Sequence, residues 1–121
     1  MGTINSHRDL VVWQKGMDLA VQIYRLASGF PPSEIYHLTA QITRAVASVP
    51  ANIAEGSARG SRKDYANFLA IAKGSLMETE TFLMLALRLE YLSKENADSS
   101  LKLIPEISKM LTVLRSRLLA V

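Results

Sequence analysis

The chain has 121 residues, of which 49% are hydrophobic, and it contains no cysteine. A domain of this length buries roughly two-thirds of its unfolded surface, so folding needs no covalent crosslink. The absence of cysteine excludes disulfides, thiolate zinc sites, iron–sulfur clusters and cysteine nucleophiles. A formal net charge of +3 and a pI of about 9.4 are only mildly basic. We predict one domain covering residues 1–121.

No apolar run is long enough for a signal peptide at the start or for a membrane span elsewhere. The lack of cysteine also fits a reducing compartment. We therefore expect a cytoplasmic protein with no membrane partner.

The first segment carries apolar residues at alternating intervals of three and four, which is the heptad spacing of a helix seam. These residues are Leu10, Trp13, Met17, Ala20, Tyr24 and Ala27. Pro31 and Pro32 follow, and proline cannot continue a helix. The pattern predicts a helix over about residues 9–28.

The second segment has a similar seam and an internal proline. The seam consists of Ile35, Leu38, Ile42, Ala45, Val49 and Ile53. Ser33 is a suitable N-cap and Gly56 marks the end, which predicts a helix over about 34–57. Pro50 has no N–H, so the carbonyl of Val46 loses its helical partner and the helix should bend.

Two more helices are predicted, over about 62–91 and 94–118, with Ser61 and Ser93 as their N-caps. The seam of the third is Tyr65, Leu69, Ala72, Leu76, Thr79, Leu83 and Ala86, and that of the fourth is Ile104, Ile107, Leu111, Leu114 and Leu118. Pro105 lies inside the fourth segment and should kink it or delay its regular start.

No segment shows the alternation of a strand, so we predict an all-α protein, an antiparallel up-down-up-down four-helix bundle. Several apolar residues lie off the predicted seams: Val12, Leu19, Ile23, Leu26, Phe68, Phe82, Met84, Leu85, Leu87, Leu103, Met110 and Val113. This surplus favours a second apolar face and self-association. The alternative is a wider core stripe in a monomer, since bundle helices use about three apolar positions per heptad.

Few residues could carry catalysis. Glu34 and His37 have the Glu-x-x-His spacing of di-iron bundles, but such sites need a second pair and further inward glutamates. The other histidine, His7, has no glutamate three residues before it. No nucleophile elbow, Walker loop or dinucleotide fingerprint is present. We predict no catalytic residue, no metal site and no cofactor.

Basic residues cluster after the second helix and near the end of the chain. Arg59, Arg62 and Lys63 occur without an acid between them, and Arg115 and Arg117 belong to the last segment. The start of the third helix favours anions, and clustered basic residues attract nucleic acid. These five cations are therefore the candidate contacts to nucleic acid. The alternative is that they decorate solvated helix ends, where cations at a C-terminus oppose the dipole.

The second helix also carries a polar stripe. Its members, at intervals of three and four, are Arg44, Ser48, Asn52, Glu55 and Arg59. Glu55 can pair with Arg59 one turn further along the helix. The side chains of Ser48 and Asn52 can satisfy carbonyls that Pro50 leaves without a helical partner. We interpret the stripe as a packing and hydrogen-bonding device rather than a reactive site.

Residues 41–80, QITRAVASVPANIAEGSARGSRKDYANFLAIAKGSLMETE, together with RDLVVWQKGMDLAVQIYRL and FPPSEIYHLTAQ before them, form a distinctive pattern. It resembles the four-helix-bundle proteins encoded in intervening sequences of bacterial 23S rRNA genes. Related proteins are the accessory variability (Avd) proteins of diversity-generating retroelements. The similarity covers about residues 8–118, with Gly16 and Pro105 as departures. The residues that match the motif are Arg44, Ser48, Pro50, Asn52, Glu55, Gly56, Arg59, Gly74 and Ser75.

The resemblance implies a four-helix bundle that forms barrel-like homopentamers and has no enzyme activity. It also implies association with RNA or DNA through basic surfaces, and with a reverse transcriptase where one is encoded nearby. We therefore expect a non-enzymatic, homo-oligomeric accessory protein. The alternative is an oligomeric protein-binding scaffold without affinity for nucleic acid.

Overall fold

A computed structural model of the chain describes residues 6–120. Its four helices are α1 (Val11–Ala27), α2 (Leu38–Ser57), α3 (Arg62–Arg88) and α4 (Lys94–Leu119). Two single turns of 3-10 helix, His7–Asp9 and Pro32–Glu34, precede α1 and α2. No strand occurs between residues 6 and 120. The all-α prediction is confirmed.

The helices form an antiparallel bundle in which each packs against two neighbours. α2 lies between α1 and α3, and α4 lies between α3 and α1. This is the predicted up-down-up-down arrangement, with α1 and α3 at diagonal corners. One end of the bundle therefore gathers the starts of α1 and α3 and the ends of α2 and α4.

The predicted seams of α2, α3 and α4 account for most of the core. Their fully or nearly buried members are Leu38, Ile42, Ala45, Val49, Ile53, Leu69, Ala72, Leu76, Thr79, Leu83, Ala86, Ile104, Ile107 and Leu111. Leu114 and Leu118 are only half-buried, and Ile35 is exposed because it precedes α2. The one polar member, Thr79, donates its hydroxyl to the carbonyl of Ser75 at 2.8 Å.

The predicted seam of α1 is wrong in register. Met17 and Tyr24 are exposed, and of the six predicted residues only Ala27 is buried. The core face consists instead of Val12, Gly16, Leu19, Ile23 and Ala27. This stripe places Gly16 against α2, where a Cβ would make an ordinary contact, 3.6 Å from the Pro50 Cβ. α1 thus carries two apolar stripes, and the glycine-containing one approaches α2.

Two helices start later than predicted. α1 begins at Val11 rather than residue 9, because residues 7–9 form a separate turn and Leu10 is extended. α2 begins at Leu38 rather than residue 34, because the φ and ψ of His37 (−122° and −106°) are not helical. Ser33 does not cap this helix. Glu34 does, since its carboxylate accepts the Leu38 N–H at 3.1 Å.

The N-caps of α3 and α4 are as predicted, whereas the end of α3 is not. The hydroxyls of Ser61 and Ser93 each accept the amide three residues ahead. α3 stops at Arg88, three residues short of the predicted 91, because Glu90 adopts a left-handed conformation with φ 61°. The Tyr91 amide then returns to the Ala86 carbonyl at 2.9 Å, which closes a Schellman motif.

Both internal prolines lie within continuous helices. α2 extends seven residues beyond Pro50, and α4 begins eleven residues before Pro105. Pro105 therefore does not delay the start of α4, because the Ser93 cap sets it. α4 also ends one residue beyond the predicted 118, at Leu119. The bend at Pro50 stays a prediction.

Candidate functional site

The five candidate cations occupy the end of the bundle where α3 starts and α4 finishes. Arg59 follows α2, while Arg62 and Lys63 are the first two residues of α3. Arg115 and Arg117 lie in the last two turns of α4. All five are exposed. The structure therefore brings together basic groups that are far apart in sequence.

Arg59 is held by two contacts on its own side of the bundle. Its guanidinium lies 2.6 Å from the Glu55 carboxylate, as predicted from the four-residue spacing. It also lies 4.7 Å from the centroid of the Phe68 ring on α3. The pair is about half exposed, so we assign it at most a few tenths of a kcal/mol. Its main effect is to fix where this positive charge sits.

Arg62 and Arg115 connect α3 to α4 through main-chain carbonyls. Arg62 donates from Nη2 to the carbonyl of Arg117 at 2.7 Å and from Nε to that of Leu118 at 3.0 Å. Arg115 donates from Nε to the Ala66 carbonyl at 3.2 Å. The last carbonyls of a helix lack intrahelical partners and carry partial negative charge, so Arg62 serves as a C-terminal cap for α4.

Lys63 and Arg117 differ from the other three. Within residues 6–120 neither side chain makes a hydrogen bond or an ion pair. Arg117 lies beside an apolar groove of about 350 Å³ between α1 and α4, together with Lys109. These charges are available to an external anion without breaking any contact of the fold.

A further cation, Lys73, was missed in the sequence. It lies in a second groove, between α3 and α4, whose volume is about 400 Å³ and which Arg115 also lines. Its Nζ donates to the Thr112 hydroxyl at 2.7 Å. The sequence spacing could have indicated it. Lys73 follows Arg62 by eleven residues, which is about three helical turns, so both lie on the same face of α3.

Part of the polar stripe of α2 forms a hydrogen-bonded network. Asn52 donates from Nδ2 to both the carbonyl and the hydroxyl of Ser48, each at 2.8 Å. The Ser48 hydroxyl also lies 2.9 Å from that of Ser75 on α3. The Asn52 amide thus bonds the carbonyl of Ser48, not the Val46 carbonyl that Pro50 frees. Arg44, one turn before Ser48, is exposed and unpaired in the described part of the chain.

The motif glycines have different surroundings. A Cβ at Gly56 would lie 2.7 Å from the Phe68 Cβ and 3.3 Å from the carbonyl oxygen of Tyr65, so only glycine fits where α2 meets α3. A Cβ at Gly74 would have no neighbour within 4 Å. Gly74 therefore has no packing role within the chain. Burial raises the pKa of Tyr65 at this junction.

Glu34 belongs to a hydrogen-bonded pair at the start of α2. The Tyr91 hydroxyl donates to its carboxylate at 2.6 Å. This bond and that from the Leu38 amide lower the pKa of Glu34, and the same carboxylate raises the pKa of Tyr91. Between residues 6 and 120, no three His, Asp or Glu side chains are arranged to hold a metal ion.

Large apolar side chains remain exposed on two opposite helices. On α1 they are Val11, Met17, Val21 and Tyr24, and on α3 they are Ile71, Met77, Met84, Leu85, with Leu89 just beyond the helix. Each has between 37% and 52% of its surface exposed. Of the residues off the predicted seams, Val12, Leu19 and Ile23 are fully or nearly buried. The exposed apolar residues thus include two of the six members of the predicted α1 seam, Met17 and Tyr24.

A sequence model of the family described as 23S rRNA-intervening sequence protein matches residues 8–113. The chain belongs to this family. A similar solved structure is that of a Bacteroides thetaiotaomicron protein of unknown function from the S23 ribosomal protein family. The two are 33% identical, with a TM-score of 0.78, over 87% of this chain and 98% of the other.

No curated protein is significantly similar to the chain. The family membership and the similar solved structure account for the fold. None of the four helices in the described residues is both long and apolar enough to cross a membrane.

Proposed function

We propose that this protein is a non-enzymatic, homo-oligomeric bundle whose basic end binds the phosphate backbone of structured RNA or DNA. The observation that carries the proposal is the convergence of five exposed cations at one end, two of which have no partner in the described chain. Cations that converge from separate elements create a local positive field that attracts a polyanion. We place this accessory role in the cytoplasm.

Self-association is supported by the two exposed apolar faces. α1 and α3 stand at diagonal corners of the bundle, so their exposed residues face in opposite directions. A two-fold dimer through either face would leave the other uncovered. Contact between the α1 face of one copy and the α3 face of the next covers both, and such head-to-tail contacts close into rings. The pentamer implied by the resemblance is one such ring.

A ring would strengthen the binding of nucleic acid. One chain offers five cations at its basic end, but rotation about an axis along the bundle places the basic ends of all copies on the same side. Several weak contact sets then act on one polyanion, which raises the overall affinity without any new contact.

The second candidate is an oligomeric protein-binding scaffold without affinity for nucleic acid. The apolar groove between α1 and α4 favours it, since Val11 and Val113 are each about half exposed there. A protein partner, including a reverse transcriptase if one is encoded nearby, could bury this groove.

The test compares charge reversal at the two ends of the bundle. Lys63→Glu/Arg117→Glu removes the two unpaired cations of the basic end and spares Arg62, which caps α4. The matched control, Arg88→Glu/Lys94→Glu, makes the same charge change at the other end, where both residues line one surface groove. Affinity for a structured RNA hairpin and for duplex DNA is measured by fluorescence anisotropy at two salt concentrations.

We expect the basic-end variant to lose most of its affinity, whereas the control retains most of it. Binding should also weaken with salt, because each neutralised phosphate releases counterions. Equal losses in both variants would contradict the basic end as the binding surface. No binding by the unmodified protein at low salt would favour the scaffold.

A further inference from the structure

The groove between α3 and α4 is lined by two cations and no acid. Its ionisable residues are Lys73 and Arg115, and its hydroxyls belong to Thr112 and Ser116. The lining is otherwise apolar or small, and the open volume of about 400 Å³ is large enough for a phosphate group and its ester substituents. The groove therefore has the charge and the size to accept an anion from outside.

Both cations hydrogen-bond to uncharged groups, a hydroxyl and a main-chain carbonyl, so no acidic side chain in the described part of the chain offsets their positive charges. Lys73 donates one N–H to Thr112, whose own hydroxyl donates to the carbonyl of Ser108 at 3.0 Å. The ammonium is thereby held in the groove with two further N–H groups to donate. Arg115 uses only Nε on the Ala66 carbonyl, so its two terminal nitrogens also remain donors.

Small residues on α3 keep the groove open. Ala70 and Gly74 line it, and both are exposed. An exposed glycine inside a helix destabilises it by comparison with alanine, and nothing in the chain lies where a Cβ at Gly74 would point. The space beside Gly74 is open to a ligand in the groove or to a neighbouring copy on the exposed α3 face, since Met77 belongs to both surfaces.

The groove continues to the basic end along one face of α3. Arg62 stands three turns before Lys73, at a distance of about 16 Å along the helix axis. The positions between them on this face, Ala66 and Ala70, have short side chains. Arg115 lies beside this row, because it bonds Ala66. The result is a line of cations along the α3–α4 boundary.

We infer that the α3–α4 groove is a phosphate-binding site, in which Lys73 and Arg115 contact the sugar–phosphate backbone of a single nucleic-acid strand. The inference rests on the proposed function for the identity of the ligand, and it extends the binding surface beyond the five cations at the end. No aromatic residue lines the groove, so base stacking is absent and the site tolerates any sequence.

The experiment uses two probes and two variants of the full chain. Lys73→Gln removes one charge, and Gly74→Leu fills the groove without changing charge at a position where a Cβ meets nothing. The control, Lys102→Gln, removes a charge on the α1-facing side of α4. The probes are inorganic tripolyphosphate, followed by amide NMR, and a 15-nucleotide oligouridylate, followed by anisotropy. Light scattering verifies that each variant keeps the oligomeric state of the unmodified protein.

We expect tripolyphosphate to shift the amide signals of Lys73, Thr112 and Ser116, and both groove variants to weaken oligouridylate binding several-fold. The salt dependence should fall by about one unit of slope in Lys73→Gln. RNA binding that is unaffected by both variants would overturn the groove site and leave the proposed function intact. Tripolyphosphate binding without oligouridylate binding would overturn the assignment of a nucleic-acid strand to the groove and leave an anion site. Binding of neither probe would overturn the groove site, whereas the proposed function fails only if the hairpin and the duplex also do not bind.

Discussion

Gly56 and Gly74 are both helical glycines with opposite surroundings. Gly56→Ala places a methyl group 2.7 Å from the Phe68 Cβ, and overpacking of this kind costs about 1–3 kcal/mol. Gly74→Ala adds a methyl group that meets nothing, and alanine is better than glycine in a helix by about 0.5–1 kcal/mol. Urea unfolding at one fixed protein concentration should show stability changes of opposite sign. A loss of stability in both variants would contradict the surroundings described for Gly74.

Asn52 donates a hydrogen bond to the Ser48 hydroxyl, which in turn contacts the Ser75 hydroxyl on α3. We expect Asn52→Leu to destabilise the fold by about 0.5–1.5 kcal/mol despite the added apolar group, because the Ser48 hydroxyl loses one of its partners. The matched control is Asn67→Leu, at an exposed position of α3 without a partner in the described chain, where a change within about 0.5 kcal/mol is expected. Equal melting temperatures for the Asn52→Leu variant and the unmodified protein would show that the amide is merely solvated.

Part of this hydrogen-bonded network could be predicted from the spacing of residues along the sequence. The Glu55–Arg59 pair and the Ser48–Asn52 pair follow from a separation of four residues on one helix. The partner of Ser48 on α3 does not, because Ser75 is 27 residues away and its position depends on how two helices pack. For the same reason the carbonyl partners of Arg62 and Arg115 could not be predicted.

At the scale of elements, the pair formed by Glu34 and Tyr91 joins the start of α2 to the connection between α3 and α4. The lowered pKa of Glu34 means that its stabilising contribution is present above the ordinary carboxyl range and is lost as the pH falls through the lowered pKa. The raised pKa of Tyr91 means that its contribution is fully present below about pH 10 and is lost as the pH rises through the raised pKa.

Removing the phenol hydroxyl should therefore have an effect that depends on pH. We expect Tyr91→Phe to lower stability most between about pH 5 and pH 9, and the difference from the unmodified protein to shrink at both extremes. The measurement is the urea midpoint of both proteins across the pH range, with Tyr36→Phe, at a tyrosine 87% exposed, as the control. A difference that stays constant from pH 3 to pH 11 would argue against the hydrogen bond.

The helices themselves were largely predictable, and their starts were predictable only where a serine caps them. Ser61 and Ser93 signal two starts through local chemistry. Glu34 acts as a cap from outside α2, and Glu90 takes a left-handed conformation that usually belongs to glycine, so neither boundary follows a residue preference. In α1 both apolar stripes have helical periodicity, so the spacing alone does not decide which of them faces the core.

At the scale of the whole molecule, the exposed faces of α1 and α3 predict a homo-oligomer. Light scattering after gel filtration should give a mass several times the 13.4 kDa of one chain, about fivefold for the pentamer that the resemblance implies. The double substitution Met17→Lys/Leu85→Lys, one on each face, should lower that mass by placing unpaired charges in the contact. The control is Ile35→Lys, at an exposed residue outside both faces. A single-chain mass for the unmodified protein at micromolar concentration would contradict the prediction.

The central claim is that the basic ends of several copies act together on one nucleic acid, and the salt dependence of binding tests it most directly. The measurement is the affinity of the unmodified protein for duplex DNA or a structured RNA hairpin over a series of salt concentrations. Each neutralised phosphate of duplex DNA contributes about −0.9 to the slope of log affinity against log salt, so five cations of one chain give no more than about −4.5. We predict a steeper slope than this. A slope no steeper than about −4.5, or no measurable binding at the lowest salt, would contradict the account.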